Sequence, residues 1–415
     1  MSELSKEQYN ILIIGPYPPP FGGIASHLTS LIPGITKRLN AKIAVVSFGE
    51  KNKIDNEKDS IVYRFNIKLN AKKLFNPANW KYLLYAIIEF FGKGLSFQQI
   101  VKEATKTMLV DGVAKDFRPS IASFYQADLS LNLILLNKIW GDRTKMILTV
   151  FGEIYDNPEF IKGAFSLFNK LIHIPEGVFA SSKHCASSFK KLGIERHIEP
   201  VYYGIELNRF ASCEALGGKM RAELKVECDE VLVLYMGRFT IDMGLSSVLE
   251  LIPSLIENDP KIKFLLAGAK GELSQEAKNM AETYPDKVFI QNNVPFDDQP
   301  AIYSAADFVL APTRDQHACM GMSIKEAMAT KKAVIGSISG GIPEAIVHGE
   351  TGILVPLAAD TNVDTAKLKE AIILLSQNQE IREQYGLAGF KRAEKMFSSE
   401  TTIERMIGYF IASKY

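Results

Sequence analysis

Residues 311–356 read APTRDQHACMGMSIKEAMATKKAVIGSISGGIPEAIVHGETGILVP. The apolar run before this stretch ends near Leu310, and an irregular loop closed by Gly321 follows. From about Met322 to Thr330 the residues favour helix, and the short apolar runs Ala333–Ile335 and Ile353–Val355 read as strands. Strand, loop, helix and strand at this spacing form a crossover unit of a parallel sheet. The amides of Gly321, Met322 and Ser323 stand at the helix start, so they lack partners within the helix and point toward any anion placed there. Glu326 falls in the second turn, from which a carboxylate reaches a pair of sugar hydroxyls. Read locally, it is equally a solvated helix glutamate.

The same alternation extends in both directions. In the first half, strands are expected at Ile11–Ile14, Ile43–Val46, Ile121–Phe124, Met146–Val150 and Gly177–Ala180. In the second half they are expected at Val231–Tyr235, Lys263–Ala267, Val288–Ile290 and Asp307–Leu310, before the two already named. Short apolar runs between helical patterns indicate parallel strands buried on both faces. The fold class is therefore α/β, with two Rossmann-like, doubly wound parallel-sheet domains, and 415 residues are too many for one core. The boundary is expected between Tyr203 and Lys225, a stretch of little periodicity that contains Gly217-Gly218. This gives an N-terminal domain over 1–205, a C-terminal domain over 206–395 and a final segment over 396–415. Within that segment Ile403, Met406, Ile407, Phe410 and Ile411 form a helical stripe, so Thr401–Ser413 is expected to pack as an amphipathic helix on the N-terminal domain.

Composition excludes several classes of protein. Lys and Arg number 48 against 47 Asp and Glu, so no global field recruits nucleic acid. The four cysteines, Cys185, Cys213, Cys228 and Cys319, show no CxxC spacing and read as reduced thiols. The N-terminal MSELSKEQYN has no apolar signal core, and the greasiest run, Tyr82–Phe91, is too short to span a bilayer. A soluble cytoplasmic chain is expected.

Two further segments carry chemistry. Val231–Gly244, VLVLYMGRFTIDMG, passes from a strand through Gly237 to Arg238, whose planar fork suits a diphosphate. An interdomain or surface ion pair is the plainer role for that arginine. Near the start, IGPYPPPFGGIASHLTSL places Gly22-Gly23 at the mouth of a helix, where backbone can approach a ligand, although a tight turn has the same look.

Pro312-Thr313, Gly321, Glu326-Ala327-Met328-Ala329, Gly340-Gly341, Glu344 and Gly352-Ile353-Leu354-Val355 stand in register with the nucleotide-sugar region of retaining GT-B glycosyltransferases. The chain resembles glycosyltransferase family 4, the glycosyl transferases group 1. The resemblance implies a GT-B fold, two such domains facing each other across a cleft. It implies that Glu326 accepts from the donor's ribose hydroxyls, that amides near Gly321, Met322 and Ser323 hold its diphosphate, and that Arg238 joins them. Gly22 and Gly23 would form the loop near donor and acceptor. Glu344 and Gly352 are read as structural.

Three positions depart from the pattern. Ala318 stands where the first of two glutamates is usual, Phe151 where a histidine is usual, and Met243 where the diphosphate lysine is usual. Asp315 and His317 beside Ala318, and Glu153 beside Phe151, are the candidates to supply what is missing; solvated loop residues are the alternative. The resemblance implies sugar transfer from a nucleotide-diphosphate sugar to a glycan or lipid-linked acceptor, with retention of configuration by front-face substitution. It calls for no metal, and no ligand cluster is visible in the sequence. A degraded relative that binds a nucleotide sugar or a partner glycosyltransferase without turnover is the second reading. Another GT-B chemistry, such as nucleotide-sugar epimerisation, is the third.

One stretch fits none of this. Residues 68–118 hold nine basic side chains and four acidic ones, 9 − 4 = +5, in a chain of formal net charge +1. Trp80, Leu83, Leu84, Ile87, Ile88 and Phe91 share one helical stripe, expected to face the core, which leaves Tyr82, Tyr85 and Phe90 for a surface role. A basic helix bearing aromatics suits an anionic membrane surface, here the inner face of the cell membrane.

Overall fold

In a computed structural model, residues 8–18, 23–211, 213–314 and 319–411 are described. The chain divides into two units, residues 1–203 with 399–415, and residues 204–398.

The first unit holds β1 (Tyr9–Ile14), β2 (Ala41–Phe48), β3 (Lys53–Asn56), β4 (Ile61–Phe65), β5 (Ile121–Tyr125), β6 (Lys145–Val150), β7 (Gly177–Ala180) and β8 (Glu199–Pro200). Their order across the sheet is β3-β4-β2-β1-β5-β6-β7-β8, and every pairing is parallel except β3 with β4. The second unit holds β9 (Val231–Met236), β10 (Ile262–Gly268), β11 (Val288–Asn292), β12 (Phe308–Ala311), β13 (Ala333–Ser337) and β14 (Ile353–Val355). Their order is β11-β10-β9-β12-β13-β14, all parallel. In both sheets the order reverses beside the first strand, between β1 and β5 and between β9 and β12, so each unit has a switch point where a ligand crevice opens.

Strands β3, β4 and β8 carry no clean apolar run, and the sequence pattern does not announce them. The edge strand β3 is KIDN, polar and mostly exposed, with Asp55 bonded to Arg64 of β4 at 3.1 Å. Such a charged edge discourages further strand addition. Gly217-Gly218, expected in an aperiodic boundary, lies inside the helix Glu214–Glu223. A Cβ on Gly217 would stand 2.6 Å from Ser304 Oγ, so the glycine lets this helix close on Gln299–Ala305. The final helix, Ser399–Ile411, buries Ile403, Met406 and Phe410 in the core of the first unit. Ile403 sits directly over Gly34 of the helix Gly23–Arg38.

The helix Trp80–Phe90 turns the opposite way from the sequence expectation. Tyr82, Ala86, Glu89 and Phe90 face inward, whereas Trp80, Leu84, Ile88 and the following Phe91 are exposed. Polar contacts decide the rotation. Tyr82 donates to Asp111 at 2.5 Å, and Glu89 meets Lys138 and Lys170 at 2.6 Å each. Burial alone would raise the Glu89 carboxyl, but the two lysines overcome it and hold it at about 2. Among the described residues, no helix is long and apolar enough to cross a membrane.

Candidate functional site

In the second unit the two motif segments, far apart in sequence, end on neighbouring strands. β9 pairs with β12 through Val233 with Phe308 and Tyr235 with Leu310. Gly237-Arg238 therefore leaves the sheet beside Pro312-Thr313, at the switch point. Gly244 has φ +76°, and a Cβ there would lie 1.9 Å from the Pro312 carbonyl, so the loops touch backbone to backbone. Thr313 Oγ1 donates to the Asp242 carbonyl at 2.8 Å and the Arg314 amide donates to it at 3.0 Å. Tyr235 donates to the Arg238 carbonyl at 2.7 Å, fixing the turn from below. The Arg238 side chain is exposed. No hydrogen bond or ion pair is formed by its guanidinium with the described residues.

Two helices start here without side-chain caps. Leu245–Asn258 follows Gly244, and Met322–Ala329 follows Gly321, which adopts φ +70°. Neither has an acidic residue in its first turn, so the unpaired amides keep their positive end for an incoming anion. Met243, in place of a cation, packs partly buried against the core of the unit.

Glu326 is half-buried, and its Oε2 accepts from the buried Tyr303 hydroxyl at 2.6 Å. Burial raises its carboxyl above the ordinary range, against the bond from Tyr303 and the positive charge of Arg209. Arg209 is itself held, its guanidinium stacked 3.4 Å above the Phe296 ring and donating to Gln299 Oε1 at 3.0 Å. One residue before Glu326, Lys325 is buried, and that burial pushes its ammonium down to about 8. Tyr303, Arg209 and Lys325 carry no motif signal; a tyrosine inside a short buried helix, needing a partner for its hydroxyl, was the only hint. Asp315 and His317 lie outside the described residues, as does Ala318. Among the described residues, no group of three or more His, Cys, Asp or Glu is placed to hold a metal ion.

The switch point of the first unit is built differently. Gly23 opens the helix Gly23–Arg38, and Gly22 lies outside the described residues. His27 stacks on Tyr203 with ring centroids 3.6 Å apart, and Phe151 meets Tyr203 edge-on at 5.3 Å. Below them Glu153 is 0% exposed, with Oε1 accepting from the Ala127 amide at 2.7 Å and Oε2 from the Phe151 amide at 2.6 Å. Glu153 thus ties the loops after β5 and β6 together and has no surface left to offer a ligand, in correction of the contact expected for it. Burial pushes its carboxyl up to about 8 despite both amides.

Residues 218–392 match the family model of glycosyl transferases group 1. The α-maltose-1-phosphate synthase of Mycolicibacterium smegmatis is 31% identical over 195 residues, 44% of this chain and 49% of its own. The teichuronic acid biosynthesis glycosyltransferase TuaC of Bacillus subtilis, a putative assignment in its own name, is 29% identical over 216 residues, 51% of this chain and 52% of its own. The chain thus spans about half the length of the curated relatives it matches. The sucrose-phosphate synthase of Thermosynechococcus elongatus superposes with a TM-score of 0.74 at 16% identity, covering 97% of this chain and 98% of that one. Anabaena HepE, solved in complex with UDP, gives 0.73 at 16% identity over 97% and 99%. The two units are therefore the paired Rossmann-like domains of a GT-B fold, and the second of them is a glycosyl transferases group 1 domain.

Proposed function

We propose that the protein transfers a hexosyl group from a nucleotide-diphosphate sugar to a glycan or lipid-linked acceptor, with retention of anomeric configuration. The observation that carries this reading is that Gly237-Arg238 leaves the sheet beside Pro312-Thr313 at the switch point, in the unit that also holds the uncapped helix start at Gly321. Arg238 would grip the diphosphate bidentately, and the amides of Met322 and Ser323 would receive the same group. Glu326, positioned by Tyr303, would accept from the ribose hydroxyls. As the sugar leaves, negative charge grows on the diphosphate, and these fixed donors stabilise it without rearranging. The leaving diphosphate then takes the acceptor proton on the same face. Asp315 and His317 remain the candidates for the sugar hydroxyls, and Gly22 and Gly23 for the N-terminal side of the donor. In this reading Arg238 and the helix amides supply the positive charge, and turnover continues in the presence of a chelator.

A relative named as a glycosyltransferase, TuaC, and the match of residues 218–392 to the glycosyl transferases group 1 model support the reading. We also propose that the first unit meets an anionic membrane surface through residues 68–118, on the cytoplasmic side. The test of transfer is a panel of UDP, GDP and ADP sugars, with release of nucleoside diphosphate and calorimetric binding followed in parallel. Slow release from one donor, lost in Arg238→Ala, is expected. Tight binding with no release under any acceptor mixture would favour the binder without turnover. Failure to bind any of them would sink both.

A further inference from the structure

Beside the helix Trp80–Phe90, the first unit has a cavity of about 690 Å³ lined by Lys81, Lys115, Arg118 and Arg143, with Asp111 as its one carboxylate. Asp111 is already engaged: Tyr82, Trp140 and Lys115 approach it at 2.5, 2.9 and 3.3 Å. Arg143 uses Nε and Nη2 on the last carbonyls of the preceding helix, Asn132–Trp140, at 3.0 and 3.1 Å. Arg118, at φ +52°, ends the helix Phe97–Phe117 and places a guanidinium that makes no hydrogen bond or ion pair with the described residues. Helix ends explain why cations gather here. They do not explain why four of them share a cavity with one occupied carboxylate.

The neighbouring surface is apolar. Phe75 is 77% exposed, Trp80 58%, Ile88 63% and Phe91 72%, and Leu84 lies between them. Trp80 donates to the Phe75 carbonyl at 3.1 Å, so these residues form one continuous strip. Large exposed aromatics in a row cost solubility unless something covers them. Lys81 stands on the same helix and also lines the cavity, so the strip and the cationic pocket are two parts of one face.

We propose that this face docks on an anionic phospholipid bilayer, with the apolar strip entering the interface and a lipid phosphate seated among Lys81, Lys115, Arg118 and Arg143. The inference rests on the membrane contact proposed above, and it adds which side chains insert and where the headgroup binds. An apolar edge flanked by cations matches both layers of such a surface, the acyl boundary and the phosphate plane.

The test is sedimentation of the full chain with vesicles of phosphatidylcholine, alone or with phosphatidylglycerol, while Trp80 emission is followed against a Trp80→Phe control, because the buried Trp140 lines the same cavity. The wild type is expected to bind only the anionic vesicles, with a blue shift. Lys81→Ala/Arg118→Ala should weaken that binding about thirtyfold for two basic residues at an anionic surface. Ile88→Ser/Phe91→Ser should abolish the shift. If the wild type binds neither vesicle, the membrane reading falls and the pocket assignment with it. If Lys81→Ala/Arg118→Ala binds like wild type, the headgroup site is wrong while membrane contact stands. Stabilisation by inorganic phosphate without vesicle binding would overturn the lipid as occupant. Self-association lost in Ile88→Ser/Phe91→Ser would give the strip to a second copy instead.

Discussion

The two units share the strand order at the centre of their sheets, yet their switch points hold different chemistry. After β9 and β12 the backbone loops are laced together, and the side chains above them are polar: an exposed Arg238, and a Glu326 propped by Tyr303. After β1, β5 and β6 an aromatic stack of His27, Tyr203 and Phe151 lies at the crevice, and the Glu153 carboxyl is buried against the loop amides. A parallel sheet therefore fixes where a crevice opens and leaves its contents to the loops. One unit keeps a charged side chain exposed at its switch point. The other has used its charge to hold loops together.

If that contrast is functional, removing the exposed charge should cost the most. Arg238→Ala is expected to lower kcat/KM for the donor by about 10²–10³, the range for losing one donor to a developing anion. Its melting temperature should match the wild type, because the side chain is exposed and forms no hydrogen bond or ion pair with the described residues. Steady-state release of nucleoside diphosphate measures the first and calorimetry the second; a large fall in stability with unchanged kinetics would make Arg238 structural. Tyr303→Phe should do less. It removes one hydrogen bond to a half-buried carboxylate, worth about 1.5–3 kcal/mol, and leaves Glu326 to rise further because burial is then less opposed. Donor affinity should fall about tenfold near neutral pH and recover as pH rises, since the ionised carboxylate is the better acceptor. A fall with no pH dependence would place the effect in packing.

The sheets were legible because β-branched runs buried on both faces leave a plain mark in sequence. β3 and β4 were not: KIDN lies on a sheet edge where nothing demands apolar side chains, and IVYRF is interrupted by Arg64, which pairs with Asp55 of that edge. Arg238 was legible beside Gly237 at the end of a strand, and Glu326 through the register of Glu326-Ala327-Met328-Ala329 with the family pattern. Tyr303 and Arg209 were silent: their role arises from contacts across 23 residues and more, and local pattern holds no record of those. The loss of charge at Met243 and Phe151 could be read, but not its consequence, that both side chains pack into their own units. The helix Trp80–Phe90 shows the limit most plainly. Periodicity reveals two apolar arcs, and only the hydrogen bond to Asp111 and the lysines around Glu89 say which arc turns inward.

The smallest effect probes the sealed side of the comparison. Glu153 is fully buried, and its carboxyl is raised to about 8 from an unfolded value near 4.5. The folded state therefore holds the proton more tightly than the unfolded chain does. This contribution to stability is full below about 4.5 and is lost as pH climbs through 8. Glu153→Gln removes the titration and supplies only one acceptor for two backbone amides, which leaves one donor unsatisfied at a cost of about 1–3 kcal/mol. Melting curves between pH 5 and 9 should show the variant below the wild type at pH 5, with the gap narrowing toward pH 9. The wild type loses the benefit of its bound proton over that range, and the glutamine has none to lose. Donor affinity should stay within about twofold throughout, because a residue with no exposed surface touches no ligand. A gap that stays constant from pH 5 to 9 would mean that Glu153 is already ionised at neutrality, its two short amide bonds outweighing burial. The sealed crevice would then hold a permanent negative charge facing the aromatic stack, and the contrast between the two switch points would be one of sign rather than of presence.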